Sequence, residues 1–259
     1  MIVEKIFTIK LETKEPLRIG GKKDPLSGAD NPVTRVGGKL VIPGSTLKGA
    51  LRSEIERFLI TSYFKNDKWK EGFEEMKPCI PGAELSADEQ ALVESGKYRG
   101  GGSCHYPCTD RKCGRGVNHS ICPACYLLGA MGLPGFVKVP FLYAEGGADE
   151  LYSSRIDRAT KTVASGTNRP YELVPDGAIF IGKLTVLMED TVLGWKLGEP
   201  RRLSEERTLG DRWLEINEGK KETEELIKTY IIDRLQNIKT LGGYKSKGFG
   251  LVTISVTES

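Results

Sequence analysis

The chain has 259 residues, 39% hydrophobic and 28% charged, with 38 Lys and Arg against 35 Asp and Glu and a net charge of +3. That is the size of one large domain, or of one core with sizeable insertions, and the composition of a soluble globular protein. So small a cationic surplus does not by itself imply nucleic acid, and the absence of any run of about 18 apolar residues excludes a membrane-spanning helix. The start "MIVEKIFTIKLET" alternates and carries charges throughout, so it reads as a strand rather than a signal peptide. Six cysteines without an export signal point to a reducing, cytoplasmic setting, where thiols more often hold metal than form disulfides.

Residues 2–13 alternate apolar and polar and predict a first strand. A glycine-rich loop follows from Ile19 to Gly38, then a short strand over "KLVIP". "GSTLKGALRSEIERFL" is the clearest helix: Ser45 or Thr46 can cap it, and Leu47, Leu51, Ile55, Phe58 and Leu59 share one face. Lys48 and Arg52 are four apart and point the same way along the edge of that face. Residues 61–103 give an acidic, helix-like stretch and the loose "KYRGGGS"; "YLLGAMGLPG" reads as a short helical turn and "FVKVPFLYAE" as a strand. Residues 153–177 hold few apolar anchors and many cations, the pattern of a protruding hairpin. "AIFIGKLTVLM" is a strand, "ETEELIKTYIIDRLQNI" a helix, and "GLVTISV" the final strand.

With the insertions and "KLVIP" set aside, the order is βαββαβ, the ferredoxin-like split unit of an α+β protein. The expected organisation is one domain over residues 1–259, with a helical and zinc-binding insertion at 61–130 and a hairpin arm at 150–178.

The insertion is expected to bind metal because five cysteines fall between residues 104 and 125, interleaved with His105 and His119. "CPAC" is a typical ligand pair for tetrahedral zinc. The preferred set is Cys108, Cys113, Cys122 and Cys125, with Cys104 or His105 able to replace Cys108; Cys79 reads as separate, either buried or incidental. Four ligands leave no open position for water, so the zinc is structural and orders a segment too polar to fold alone. A redox-active CxxC needs a strand-to-helix context that "SICPACYLLG" supplies only in part, and it leaves three cysteines unexplained.

The segment "LGGYKSKGFGLVTI" packs Gly242, Gly243, Gly248 and Gly250 around Lys245 and Lys247. It is no nucleotide P-loop, since G-x-x-x-x-G-K-[ST] is absent and a strand follows rather than a helix. Two readings remain: a connection with solvated lysines, or a cradle whose N–H groups and lysines meet a phosphate backbone. Tyr244 and Phe249 add aromatic faces that stack on a base or simply pack.

"PLRIGG" and "IPGSTLKGALRS" share this chemistry of glycines, a helix N-terminus and cations. Together, "PLRIGG", "VIPGSTLKGALR", "CPACYLLGA" and "GGYKSKGFGLV" resemble the RAMP superfamily of CRISPR effector proteins, and most of all the repeated, Csm-like backbone subunit of type III complexes. The resemblance implies an RRM-like core whose copies stack in a helical filament along a guide RNA, beside other type III effector subunits. Arg18 in "PLRIGG", Ser45, Lys48 and Arg52 in the helix, and Lys245 and Lys247 in the late loop would then line the guide. It implies that Asp30, in "GADNPVTR", serves Mg- or Mn-dependent cutting of the complementary target RNA; without the resemblance, Asp-Asn-Pro reads as turn chemistry. It implies that the arm, with Arg155, Arg158, Lys161 and Arg169, is a thumb reaching over the guide–target duplex, with Ile156, Val163 and Tyr171 as wedge candidates. Two alternatives stay open: a non-catalytic RNA-binding scaffold of the same kind, and a RAMP-type endoribonuclease trimming guide precursors. The second usually relies on histidine or tyrosine acid–base chemistry, and both histidines here fall in the cysteine-rich segment.

Overall fold

The computed structural model describes residues 1–21, 31–82, 84–100, 103–104, 121–204, 207–208, 211–216 and 222–259. Short hairpins aside, the elements are strands β1 (Ile2–Thr13), β2 (Arg35–Val36) and β3 (Lys39–Ile42), then helix α1 (Gly44–Tyr63). Helices α2 (Ala87–Glu94) and α3 (Pro123–Leu128) come next, then strands β4 (Val137–Lys138), β5 (Leu142–Ala144), β6 (Asp149–Ser153), β7 (Arg169–Leu173), β8 (Ile179–Asp190) and β9 (Trp195–Lys196). Helix α4 (Thr223–Ile227) passes through a π turn into α5 (Asp233–Asn237), and β10 (Val252–Glu258) ends the chain. The protein is a mixed α/β structure whose main sheet has the order β10-β1-β8-β5-β3-β2, with β4 and β9 also pairing on β8. "KLVIP" is part of it: Leu40, Val41 and Ile42 pair with Ala144, Tyr143 and Leu142. Among the described residues, no helix is long and apolar enough to cross a membrane.

The chain divides into two compact units. One comprises residues 7–50, 139–183 and 235–259. In it β1 and β10 run antiparallel from Phe7↔Glu258 to Thr13↔Val252. The period-2 pattern read from the sequence appears as burial of Phe7, Ile9 and Leu11 on one face of β1, joined by Val252 and Ile254. Each such side chain contributes roughly 1.5–3 kcal/mol when fully buried. Helix α1 starts here, with Thr46 and Leu47 N–H groups donating to the Pro43 carbonyl. Ser45 and Thr46 are thus inside the helix rather than capping it. A Cβ at Gly44 would lie 2.7 Å from the Val139 carbonyl oxygen, so only glycine fits that start. β6 pairs with β7 from Asp149↔Leu173 to Ser153↔Arg169.

The other unit comprises residues 1–6, 51–138 and 184–234. Leu51, Ile55 and Leu59 of α1 are fully buried in it, and Phe58 meets the Tyr230 ring edge-on at 5.6 Å. Leu184 and Val186 of β8 are buried, and Val186 pairs with Val137 of β4. Residues 136–145, read as one strand, form two short ones, β4 and β5, interrupted over Val139–Phe141. A fully buried Arg201–Asp211 pair lies at 3.4 Å, with the guanidinium 4.8 Å from the Tyr126 ring centre and 5.5 Å from Trp195. The aromatic faces compensate part of the desolvation that two buried charges cost.

Candidate functional site

The cysteine site is built from three segments. Pro123 sits in the first turn of α3, where its missing N–H costs nothing, and fixes the helix start just after Cys122. Cys125 follows one turn on, so both sulfurs leave the same end of the helix. Cys79 comes from an extended stretch that bridges to Arg99, where the Arg99 N–H donates to the Pro78 carbonyl at 2.8 Å. Cys104 completes the group, its sulfur accepting the Cys122 N–H at 3.4 Å. The four buried sulfurs all lie within 4.8 Å of one another.

This donor set fits zinc. A ZnS₄ tetrahedron with bonds of ~2.3 Å has sulfur–sulfur edges of ~3.8 Å, and here Cys79–Cys125 measures 3.4 Å and Cys122–Cys79 3.9 Å. Those separations are far beyond a disulfide bond of ~2.05 Å, and all four thiols are free. Hydrogen bonds from Cys104, Cys125 and Cys79 hold the Cys122 thiol well below its ordinary value, while those with Cys122, Cys125 and Cys79 push Cys104 well up.

Arg52 of α1 reaches into this site. Its Nη1 lies 3.4 Å from the Cys125 sulfur; its Nη2 lies 3.4 Å from the Cys79 sulfur and donates to the Cys79 carbonyl at 2.8 Å. Its Nε forms an ion pair at 2.7 Å with Glu56 Oε1, close but out of line for a hydrogen bond. Burial pushes the Glu56 carboxyl up to about 7 against the pull of Arg52.

In the other unit the glycine loop folds back on its own chain. Leu241 N–H donates to the Gly250 carbonyl at 2.9 Å, Gly250 N–H to Pro16 at 2.9 Å, and Gly243 N–H to Arg18 at 2.9 Å. A Cβ at Gly250 would lie 2.1 Å from the Leu241 carbonyl oxygen, whereas Gly243 and Gly248 face open space. Two of the four glycines are therefore required by backbone packing, and two leave the surface open. Tyr244 is held in the left-handed region at φ +60, and its half-exposed ring carries two cations. Arg18 Cζ and Lys247 Nζ each lie 4.7 Å from its centre. Tyr171 of β7 and Phe249 pack edge-on against it, at 5.9 and 6.1 Å. The Arg18 Nε is buried without a hydrogen-bond partner.

The family model described as the RAMP superfamily matches residues 10–253. The chain belongs to the RAMP superfamily. A 66-residue stretch is also 46% identical to a curated protein of Methanocaldococcus jannaschii named "CRISPR system Cms endoribonuclease Csm3". That stretch is 24% of this chain and 23% of the relative, so the chain matches about a quarter of the relative's length.

Within this RAMP-superfamily chain, Cys122 and Cys125 stand in the sulfur cluster as expected, and Cys104, the alternative ligand, joins them. Cys79, expected to be separate, is the correction: pairing beside Arg99 carries it across 25 residues of sequence to the site. Cys108, Cys113 and His105 lie outside the described residues, as does Asp30. Ser45, Lys48, Lys245 and Lys247 are exposed, and Arg18 is half-buried. Arg155, Arg158, Lys161 and Arg169 are exposed on the β6–β7 arm, where an Asx turn at Asp157 tightens the tip. Ile156 and Val163 bridge each other there and stay exposed, at 53% and 56%, while Tyr171 belongs to the Arg18–Tyr244 cluster at the arm's base. Sequence reading missed Cys79 and the sulfur partners of Arg52. It also missed Glu172, whose carboxylate accepts from Arg35 at 2.7 Å and from Val33 N–H at 2.9 Å.

Proposed function

We propose that this protein is a guide-RNA-binding backbone subunit of a type III CRISPR effector complex that cleaves complementary target RNA at regular intervals. The observation that carries this is the cationic, aromatic glycine loop docked on Arg18, within a chain that matches the RAMP superfamily over residues 10–253. The reading of a ferredoxin-like βαββαβ core is supported by the sheet order β10-β1-β8-β5, beyond which β3 and β2 are added. Guide phosphates approach at Gly243 and Gly248, where nothing lies within 4 Å of an added Cβ, and Lys245 and Lys247 supply charge. A guide base stacks on Tyr244, and the exposed Ser45 and Lys48 of α1 serve the same strand. The four-cysteine site holds structural zinc: with no open coordination position, it orders its segments and takes no part in the reaction.

Copies of the subunit stack along the guide with other type III subunits. The β6–β7 arm acts as the thumb, crossing the guide–target duplex and opening it at each repeat with Ile156 or Val163 as the wedge. Cleavage is assigned to Asp30. Its carboxylate would hold Mg or Mn together with RNA oxygens, or orient the 2′-hydroxyl toward the adjacent phosphorus. Asn31, beside it, is tied to the arm: its carbonyl accepts the Glu172 N–H at 3.0 Å.

The test is cleavage of a labelled, guide-matched RNA by the reconstituted complex with Mg or Mn, using wild type and Asp30→Ala side by side. A ladder of evenly spaced products that vanishes in the variant supports the proposal. An uncut target that binds tightly leaves a scaffold subunit, and no binding at all overturns the assignment.

A further inference from the structure

We propose that Arg52 is a positioning residue of the four-sulfur site, fixing two of its sulfurs and offsetting their charge, and is not a contact of RNA. This rests on the reading of that site as a metal centre. Four thiolates around one divalent cation carry a net charge of −2, and a buried charge is costly unless it is paired and hydrogen-bonded. Arg52 meets that need with its whole fork. One terminal nitrogen faces the Cys125 sulfur at 3.4 Å; the other faces the Cys79 sulfur at 3.4 Å and the Cys79 carbonyl at 2.8 Å. Its third nitrogen, Nε, stands 2.7 Å from Glu56, one turn further along α1.

Each contact does separate work. The bond to the Cys79 carbonyl fixes the backbone of the one ligand that comes from outside the cysteine-rich segment. The contacts to sulfur withdraw charge from two thiolates that sit on different segments. Glu56, its side chain 13% exposed and within 3.5 Å of the Tyr98 hydroxyl, faces the guanidinium as an ion-pair partner at Nε. A lysine has no planar fork and cannot span two sulfurs and a carbonyl at once. With its side chain 14% exposed, its terminal nitrogens against the two sulfurs and the Cys79 carbonyl and its Nε against Glu56, Arg52 has no free face for a phosphate.

The test uses the full chain loaded with zinc or cobalt(II). Arg52→Met keeps the bulk and removes charge and donors; Arg52→Lys keeps the charge and loses the fork. Arg52→Met should release its metal to a competing chelator about 10–100-fold faster than wild type, the usual range for lost outer-shell partners, with Arg52→Lys in between. In the cobalt form, the sulfur-to-metal charge-transfer band should move to lower energy in both variants, because undonated thiolates are more electron-rich. A loss of general stability alone does not move that band. Should Arg52→Met not fold, the band and release rate of Arg52→Lys decide. Wild-type release rates and band positions in the variants overturn the proposal, and so does an Arg52→Lys protein with unchanged metal behaviour but weakened binding to single-stranded RNA. A wild-type protein that takes up neither metal fails the metal reading itself and this inference with it.

Discussion

A Cβ built on Gly242 would lie 2.3 Å from the Arg18 carbonyl oxygen, at a residue whose φ is already +76. Arg18 and the glycine loop are thus joined by backbone contact, and Gly243 N–H donates to the same carbonyl. Gly242→Ala should cost about 2 kcal/mol or more, from the left-handed backbone and the overlap together. Gly243→Ala, with open space around it, should stay within about 0.5 kcal/mol of wild type. Urea denaturation of the two variants checks this; equal stabilities would mean the loop does not dock on Arg18.

The exposed lysines of that loop predict a different signature. Lys245→Ala should leave the melting temperature unchanged and Lys247→Ala should lower it only slightly, since both residues are exposed and Lys247 gives up only its contact with the Tyr244 ring. Each should weaken RNA binding across all sequences and reduce the salt slope of log K by about 1. Tyr244→Ala should lose about 1–3 kcal/mol of RNA affinity through stacking, and Tyr244→Phe should keep most of it. Fluorescence anisotropy with single-stranded RNA over a salt series reads all four variants. An unchanged slope in both lysine variants would remove the phosphate role.

Removal of Cys79 separates the observed sulfur set from the one expected on spacing. Cys79→Ser should purify with well under stoichiometric zinc and a lowered melting temperature, because it loses one of four ligands. Chelation of the wild type should lower the melting temperature in the same direction. Elemental analysis of purified protein decides. Full zinc content in Cys79→Ser would return the site to Cys108 and Cys113.

What could be read from the sequence follows the range of the interactions. The alternation in β1 and the i, i+3, i+4 face of α1 are local patterns, and Phe7, Ile9, Leu11, Leu51, Ile55 and Leu59 are buried as they predict. The exposure of Arg155, Arg158, Lys161 and Arg169 fits a run of cations with few apolar anchors, which has no core to join. The reach of Cys79 was not legible, because its partner set depends on the bridge to Arg99, a pairing that no spacing rule encodes. Arg52 and Lys48 look alike as cations one turn apart. Only the position of the sulfurs distinguishes the buried fork from the solvated ammonium. The glycine loop was half legible: its composition marks a close approach, yet Gly242 and Gly250 approach the chain's own carbonyls.

The Glu172–Arg35 pair makes a prediction that joins stability to cleavage. Burial acts to raise the Glu172 carboxyl, but the hydrogen bond and charge of Arg35 and the Val33 N–H outweigh it, so its value is lowered from 4.5. A carboxylate held low in the folded state contributes stability that is full above its ordinary value and is lost as pH falls through the folded one. Glu172→Gln should therefore cost about 0.5–1 kcal/mol near neutrality once solvent screening is allowed for. The gap to wild type should close in acid, where both side chains are neutral. The same pair holds residues 31–36 against β7, immediately after Asp30. If Asp30 cuts the target, loosening that tether should slow cleavage by the assembled complex while guide binding stays intact. Urea titrations at neutral and acidic pH test the first part, and single-turnover cleavage tests the second. A stability gap independent of pH would sink the electrostatic account, and undiminished cleavage would show that the tether does not position the loop.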